Sequence, residues 1–180
     1  MAAVLQVAAI GPITNIVAAW AHCLPPAHMI DKLEKISIFK GLDHDVLVDI
    51  SLLCQSIILE NGETIIAEKV NESFDLFFLI RGNVEVTSNT THLASGEAVL
   101  SREDKELLGE LSWLLNVRRT ATVKAVGEVE VIRVNGPRFM SFLERKPDGF
   151  RIMRRITRQI ASRLNESDNL LKQILWNSNI

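Results

Sequence analysis

Hydrophobic positions in the middle of the chain recur with the spacing of short β-strands. After Gln55, brief runs of β-branched and aromatic residues alternate with turn residues such as Asn61-Gly62 and Arg81-Gly82. The predicted strands are residues 56–59, 64–67, 76–80, 84–87, 92–100, 120–125 and 129–134. Many short strands in such a series favour an antiparallel sandwich or roll over a parallel sheet.

Helical spacing flanks these strands on both sides. Before them, residues 31–39 and 43–54 are predicted as two short helices. After them, helical spacing returns following Gly136-Pro137, since proline suits the first turn of a helix, and residues 138–145 are predicted as a short helix. A longer helix runs from Pro147 toward Trp176. The strands are therefore expected to lie between N-terminal helices and a long C-terminal helix.

The long C-terminal helix carries apolar positions at alternating steps of four and three residues. The seam consists of Met153, Thr157, Ile160, Leu164, Ser167, Leu171 and Ile174, of which Thr157 and Ser167 are polar. A heptad repeat of this kind typically packs against a second helix in a coiled coil. The pattern therefore favours a parallel homodimer, with an ordinary amphipathic helix that has no partner as the alternative.

The first 30 residues carry no formal charge, whereas the rest of the chain holds all 20 Lys and Arg and all 22 Asp and Glu. Residues 4–24 approach the roughly 20 apolar positions that cross a bilayer, although Gly11-Pro12 interrupts them. Two interpretations remain. Residues 1–24 form either a membrane segment that leaves the remainder in the cytoplasm, or a helical extension packed on the domain or a partner. Cys23 and Cys54 form no metal or disulfide motif, which favours a reducing, cytoplasmic compartment.

Candidate ligand chemistry is concentrated in residues 109–122. A Gly-Glu pair that opens a single helical turn presents free backbone N–H groups, which together with the turn dipole favour an anion. Arg119 can bind two phosphate oxygens at once, and Thr120 adds a hydroxyl. Glu110 would be repelled by a phosphate unless it faces a donor such as a sugar hydroxyl. Glu110 and Arg119 together therefore indicate a ligand that carries both a ribose hydroxyl and a phosphate.

This segment resembles the phosphate-binding cassette of the cyclic-nucleotide-binding domain family, shared by catabolite-activator-type regulators, cyclic-nucleotide-dependent kinases and gated channels. The family cassette begins Phe-Gly-Glu-Leu and ends Pro-Arg-(Ala/Ser/Thr)-Ala-(Thr/Ser). The corresponding residues here are Leu108-Gly109-Glu110-Leu111 and Arg118-Arg119-Thr120-Ala121-Thr122. Further matches lie at residues 39–42, 61–65 and 77–86, and the resemblance extends from about residue 31 to about residue 171.

The resemblance implies a mainly β fold with flanking α-helices. The expected core is an eight-stranded antiparallel β-roll, jelly-roll-like (a double-stranded β-helix), with N-terminal helices and a long C-terminal helix. It further implies that Glu110 binds the ribose 2′-hydroxyl and Arg119 the cyclic phosphate. The remaining expected ligand contacts are Gly109, Leu111, Ser112, Thr120 and Ala121. The ligand would be cyclic AMP or cyclic GMP without a metal, Thr120 makes cyclic GMP a candidate, and Leu164 or a neighbour would shield the base.

The cassette also departs from the family pattern. Leu108 stands in place of the usual Phe, Arg118 in place of the usual Pro, and the charged run at residues 101–106 replaces a Gly-Asp turn. The alternative is therefore a degenerate domain that keeps the β-roll and serves as a non-binding interaction or dimerisation module, as the tail of a membrane protein for example.

Enzymatic and DNA-binding functions are not expected. Only His92 of the four histidines lies among the strands, which is too few for a metal-dependent β-roll enzyme. A helix-turn-helix unit needs more residues than follow Trp176. The predicted organisation is an extension at residues 1–30, a ligand-binding β-roll at 31–147 and a capping and dimerisation helix at 148–180. The sequence thus predicts a regulatory module that transmits cyclic-nucleotide binding through its C-terminal helix to an effector protein.

Overall fold

The structure is a computed structural model, and it describes residues 26–69, 73–88, 98–103 and 106–178 of the 180-residue chain. Five helices lie in these ranges: α1 (Pro26–Lys35), α2 (His44–Ser51), α3 (Glu110–Leu115), α4 (Gly136–Arg145) and α5 (Gly149–Ser178). The described strands are β1 (Cys54–Leu59), β2 (Thr64–Ile66), β3 (Leu76–Ser88), β4 (Ala98–Glu103), β5 (Leu107–Leu108) and β6 (Thr122–Val134).

The six described strands form one antiparallel sheet. Its path runs β1-β6-β3-β4, while β2 also pairs with β6 and β5 with β3. The predicted fold class, mainly antiparallel β with flanking helices, is confirmed. The count of eight strands stays a prediction, because residues 92–97 of the predicted strand at 92–100 lie outside the described residues.

The two longest strands were each predicted as a pair of strands joined by a turn, at Gly82 and at Gly127. This prediction was wrong, because β3 and β6 stay hydrogen-bonded to each other on both sides of these glycines. The register shifts near Arg81, which is typical of a β-bulge that bends a strand without ending it. A Cβ on Gly82 would lie 2.6 Å from the Glu128 carbonyl oxygen. The glycine therefore permits a close approach of the two bent strands.

Smaller differences concern the ends of elements. Helix α1 begins at Pro26, five residues before its predicted start, because proline is tolerated in a first helical turn. Helix α2 ends at Ser51 rather than Cys54, since Cys54 pairs with Val134 as the first residue of β1. Part of the charged run predicted as a loop is strand, because β4 extends to Glu103.

The two faces of the sheet serve two hydrophobic cores. Along β3, Leu76 and Phe78 face the helices, whereas Phe77 and Leu79 face the interior of the roll, as the two-residue period of a strand requires. The helical core also receives fully buried side chains from α1, α2, α4 and α5, among them Leu33, Leu47, Phe139, Ile152 and Ile156. The second core lies beneath the segment of predicted ligand chemistry, which therefore rests on a packed support.

Helix α5 packs on the domain only with its N-terminal half. Ile152 and Ile156 are fully buried, whereas Phe150 is 78% exposed. Every residue from Leu164 to Asn177 is exposed. The C-terminal half of this 30-residue helix therefore presents its side chains to the surroundings of the domain.

The predicted heptad positions are also buried only in the N-terminal half of α5. Met153 and Ile160 are half-buried against the helical core. Leu164, Leu171 and Ile174 are about 60% exposed. The first part of the seam therefore covers the chain's own domain, and the homodimer stays a prediction that concerns the second part.

An ion pair between Lys32 of α1 and Glu130 of β6 gives the fold a pH-dependent contribution to stability. The two side chains are 16% and 14% exposed, and Ser56 Oγ also donates to Glu130. Burial by itself raises the pKa of Glu130, but hydrogen bonding from Lys32 and its charge outweigh burial and lower it below 4.5. A lowered folded-state pKa stabilises the protein above the unfolded-state value, and this stability is lost as the pH falls through the folded-state pKa.

We therefore expect Glu130→Gln to lower the free energy of unfolding at pH 7 by about 1–2 kcal/mol. The difference from the wild type should shrink as the pH falls from 4.5 through the lowered folded-state pKa, below which Glu130 is neutral in both states. Urea unfolding at pH 7 and at a series of pH values below 4.5 measures it. A difference of the same size at all of these pH values would contradict the role of the charge.

Candidate functional site

The cassette helix α3 is set by left-handed backbone at both of its ends. Gly109 precedes it with φ 80°, and Asn116 follows it with φ 54°. Glycine and asparagine are the residues that adopt this conformation with the least strain. The chain thus makes a single compact turn that brings Glu110 and Arg119, nine positions apart, to the same place.

Arg119 is the buried cation of the site, with 7% of its surface exposed. Its Nη2 donates to the Asp75 carbonyl oxygen at 2.7 Å, and its Nη1 donates to the Gly109 carbonyl oxygen at 3.2 Å. Burial lowers the pKa of Arg119, against the opposing charges of Asp75 and Glu110, yet a guanidinium remains protonated in proteins. Within the described ranges, both of its direct partners are neutral carbonyls, so the site retains a positive charge that favours an anion.

Asp75 organises the surroundings of Arg119, and sequence reasoning did not identify it. Its carboxylate, 3% exposed, accepts from Arg133 Nε at 2.6 Å and from the backbone N–H of Gly136 at 3.0 Å. Because Arg133 takes the carboxylate, Arg119 receives only the backbone oxygen. An acidic residue directly before the apolar Leu76–Ile80 run was the available signal, since such a residue is rarely buried without partners.

All seven residues predicted as ligand contacts line one cavity of about 340 Å³. They are Gly109, Glu110, Leu111, Ser112, Arg119, Thr120 and Ala121. Apolar walls come from Ile66, Val86, Leu108 and Val123. This volume lies at the lower end of the range found for small-molecule sites, which is roughly 300–1,000 Å³. The site therefore combines an apolar chamber with one buried cation and one carboxylate.

The two hydroxyl groups of the cassette differ in availability. Ser112 is 2% exposed, and its Oγ donates to the Arg118 carbonyl oxygen at 3.4 Å. Thr120 is exposed, and its bond to the described residues is made by its carbonyl oxygen, which accepts from Ser88 Oγ at 3.5 Å. The Thr120 hydroxyl is thus the one that lies at the accessible side of the cavity.

Helix α5 contributes two residues to the cavity that sequence reasoning did not assign to the site, Arg163 and Ser167. Arg163 Nη1 forms an ion pair with Glu110 Oε1 at 2.7 Å, and Arg163 Nη2 donates to the Leu107 carbonyl oxygen at 2.5 Å. The basic character of α5 was visible in the sequence, but which arginine faces the cassette was not. The long helix is therefore joined directly to the predicted ribose-binding carboxylate.

In the described part of the chain, no group of three or more His, Cys, Asp and Glu residues could hold a metal ion. None of the helices described is both long and apolar enough to cross a bilayer, and the predicted membrane segment at residues 1–24 lies outside the described residues. Burial raises the pKa of the Cys54 thiol to about 12, so this cysteine is a poor nucleophile.

Three solved structures that share this architecture are distant in sequence. The second cyclic-nucleotide-binding domain of a protein kinase A regulatory subunit, bound to Sp-2Cl-cAMPS, is 27% identical with a TM-score of 0.57; the match covers 80% of this chain and 94% of that one. The Thermus thermophilus catabolite activator protein is 24% identical with a TM-score of 0.60, covering 76% and 62%. The regulatory subunit of a cAMP-independent protein kinase A from Trypanosoma brucei is 21% identical with a TM-score of 0.62, covering 87% and 53%.

The chain spans only about half of several of these proteins, including 43% of the protein kinase A regulatory domain from Toxoplasma gondii. No relative is found among the curated proteins. The decisive match is that of residues 57–146, half of the chain, to the family model of the cyclic nucleotide-binding domain. This span contains β3, β6 and the complete cassette with Glu110 and Arg119. The chain therefore belongs to the cyclic nucleotide-binding domain family.

Proposed function

We propose that this chain is a non-catalytic regulatory module that binds cyclic AMP or cyclic GMP and passes the binding event through α5 to an effector protein. The observation that carries the proposal is the position of Arg119, buried in the wall of a 340 Å³ cavity with neutral carbonyls as its direct partners among the described residues. A cyclic phosphate would supply the missing negative charge. The family relationship supports the same class of ligand.

Each site residue has a proposed role. Arg119 binds the cyclic phosphate, and Glu110 accepts the ribose 2′-hydroxyl. Gly109, Leu111, Ser112 and Ala121 present backbone N–H groups, because the Ser112 hydroxyl is already bonded. The accessible Thr120 hydroxyl can meet either the phosphate or the edge of a guanine base, which keeps cyclic GMP a candidate.

The wider organisation is part of the proposal. Residues 31–147 form the ligand-binding unit, which by its family resemblance is an eight-stranded roll. Residues 148–180 form the capping and dimerisation helix, and residues 1–30 form an extension whose last five residues open α1. The module is proposed to work in the cytoplasm as a homodimer, with neither metal nor DNA as a partner.

The alternative, a non-binding interaction module, is favoured by one observation. Glu110 and Arg119 both already have partners within the protein, Arg163 for the first and two carbonyls for the second. A domain whose site is satisfied internally can keep its fold without a nucleotide. The Trypanosoma brucei structure is itself described as belonging to a cAMP-independent kinase.

Calorimetric titration of the full chain with cyclic AMP, cyclic GMP and the non-cyclic 5′-AMP decides between these two functions. We expect heat and saturation with at least one cyclic nucleotide and none with 5′-AMP. At a ligand concentration of 100 times Kd, the free energy of unfolding should rise by about 2.7 kcal/mol, which a thermal-shift assay detects. Absence of both heat and shift with the two cyclic nucleotides would leave the non-binding module as the function.

The proposed dimer makes a separate prediction. Leu171 and Ile174 are exposed on the C-terminal half of α5, and burial of each such side chain against a partner helix contributes about 1.5–3 kcal/mol. Leu171→Glu is therefore expected to raise the dimer dissociation constant more than tenfold, as measured by sedimentation equilibrium. The control is Lys172→Glu, which changes an exposed position off the apolar stripe. A wild-type chain that stays monomeric at every concentration would contradict the dimer.

A further inference from the structure

Three polar side chains spaced four residues apart hold α5 against the domain. Arg155 Nη1 donates to the carbonyl oxygens of Ile38 at 2.8 Å and Lys40 at 2.7 Å. One turn later, Gln159 Nε2 donates to Glu106 Oε2 at 2.8 Å. Residues four apart lie on one face of a helix. These contacts, with Arg163 as the third, therefore form a row that runs along α5 toward the cassette.

Arg163 is the last member of this row and the only one that reaches the ligand cavity. Its guanidinium is held at two points, by Glu110 Oε1 at 2.7 Å and by the Leu107 carbonyl oxygen at 2.5 Å. It is also the last described residue of α5 that is not exposed, since exposure begins with Leu164. The end of the docked part of α5 thus coincides with the proposed ribose-binding carboxylate.

The Glu110 side chain is 12% exposed, and Arg163 covers it from the side of α5. A bond between a guanidinium and a carboxylate is charge-assisted on both sides and is stronger than one from a sugar hydroxyl. A ribose that enters the cavity therefore meets an acceptor that is already occupied by a stronger donor. This inference rests on the proposed function, in which the ribose must bind the carboxylate that Arg163 already occupies.

We propose that Arg163 is an internal competitor of the nucleotide. It occupies Glu110 and fastens the last docked turn of α5 to the cassette, and ligand binding displaces it. In the exchange the ribose hydroxyl replaces the guanidinium as the donor to Glu110, so the carboxylate is not left unpaired, and the guanidinium, 23% exposed in the pair, passes to water, where a charge is well solvated. The last docked turn of α5 then becomes free to move relative to the cassette, and this movement is passed to the exposed half of the helix.

The proposal predicts the sign of a mutational effect. If only a fraction of the molecules has Glu110 free, the apparent Kd exceeds the intrinsic Kd by the inverse of that fraction. Removing the competitor should therefore tighten binding. If Arg163 instead served to orient Glu110 for the ligand, its removal would weaken binding, so the two roles are distinguished by direction.

The experiment uses the full chain with Arg163→Gln, and Arg158→Gln as the matched control at an exposed position of the same helix. Calorimetry with the cyclic nucleotide that binds the wild type should give about three- to tenfold tighter binding for Arg163→Gln and no change for Arg158→Gln. Hydrogen exchange without nucleotide should be faster at residues 107–112 and 159–167 in Arg163→Gln only.

Weaker binding by Arg163→Gln, or unchanged exchange without nucleotide, would overturn the competition. Failure of all three proteins to bind either cyclic nucleotide would instead contradict the proposed function. In that case the exchange measurement still decides whether Arg163 fastens α5 to the cassette. Faster exchange would support the contact, and unchanged exchange would exclude it.

Discussion

Arg119→Ala is expected to weaken the binding of a cyclic nucleotide by at least a hundredfold. The guanidinium can give two charge-assisted hydrogen bonds to the phosphate, and each contributes about 1.5–3 kcal/mol. Its burial in the cavity wall limits competition from water. Calorimetry on the variant, beside the wild type, measures the effect.

Arg119→Ala needs two control variants, because Arg119 also donates hydrogen bonds to two backbone carbonyl oxygens. Its loss removes the side-chain donor to the Asp75 carbonyl oxygen, and it leaves the Gly109 carbonyl oxygen with only the Trp113 backbone N–H at 3.3 Å. Arg119→Lys retains the charge while removing the fork geometry. Arg118→Ala removes the same charge from the exposed neighbouring position and should bind like the wild type. Urea unfolding reports whether each variant is folded. A folded Arg119→Ala with wild-type affinity would show that the ligand does not bind at this cavity.

Gly136→Ala is expected to destabilise the fold by about 3 kcal/mol, through steric overlap at a fixed backbone. A Cβ at this position would lie 1.9 Å from the Phe74 carbonyl oxygen, which is backbone and cannot rotate away. The same residue donates its N–H to the Asp75 carboxylate at 3.0 Å and accepts from Trp113 Nε1 at 3.0 Å. Any shift that relieves the overlap therefore disturbs bonds that join the start of α4 to the site.

This prediction opposes helix propensity, since alanine is favoured over glycine by up to about 1 kcal/mol within a helix. Gly127→Ala is the matched control, because its φ is 74° but no atom lies within 4 Å of the added Cβ. We expect about 1 kcal/mol from backbone strain alone in that variant. Denaturant unfolding measures the free energy of unfolding of Gly136→Ala and of Gly127→Ala. A smaller loss of stability in Gly136→Ala than in Gly127→Ala would show that the chain at Gly136 can move at little cost.

The cassette could be recognised from the sequence because its chemistry is local. Glu110 and Arg119 are joined by one short helix and one turn, so a linear motif determines their proximity. Gly109 and Asn116 add the left-handed backbone that the turn needs. The seven predicted residues consequently line a single cavity.

Long-range partners could not be predicted in this way. Asp75 lies 44 residues from Arg119, and Arg163 lies 53 residues from Glu110. An acidic residue near a strand and an arginine on a basic helix face are each compatible with many surroundings. Only the packing of β3 and α5 against the cassette selects these two side chains.

The ends of the strands also depended on long-range contacts. The turn residues Gly82 and Gly127 were predicted to separate strands, but β3 and β6 continue past them. Whether a glycine ends a strand or bends it depends on the neighbouring strand, because hydrogen bonds from that strand can continue past the bend. Here β3 and β6 provide them for each other.

The sequence by itself determined that this chain carries a β-rich domain with the cassette motif of the cyclic nucleotide-binding domain family, because strand period, turn residues and the Glu110–Arg119 spacing are encoded locally. Only the tertiary structure decided that Arg119 is buried against two carbonyl oxygens and that Glu110 is already paired with Arg163. The physical reason is that burial and charge pairing depend on which distant segments meet. The sequence motif thus identified the residues of the candidate site, and the fold determined which of them already have partners within the protein.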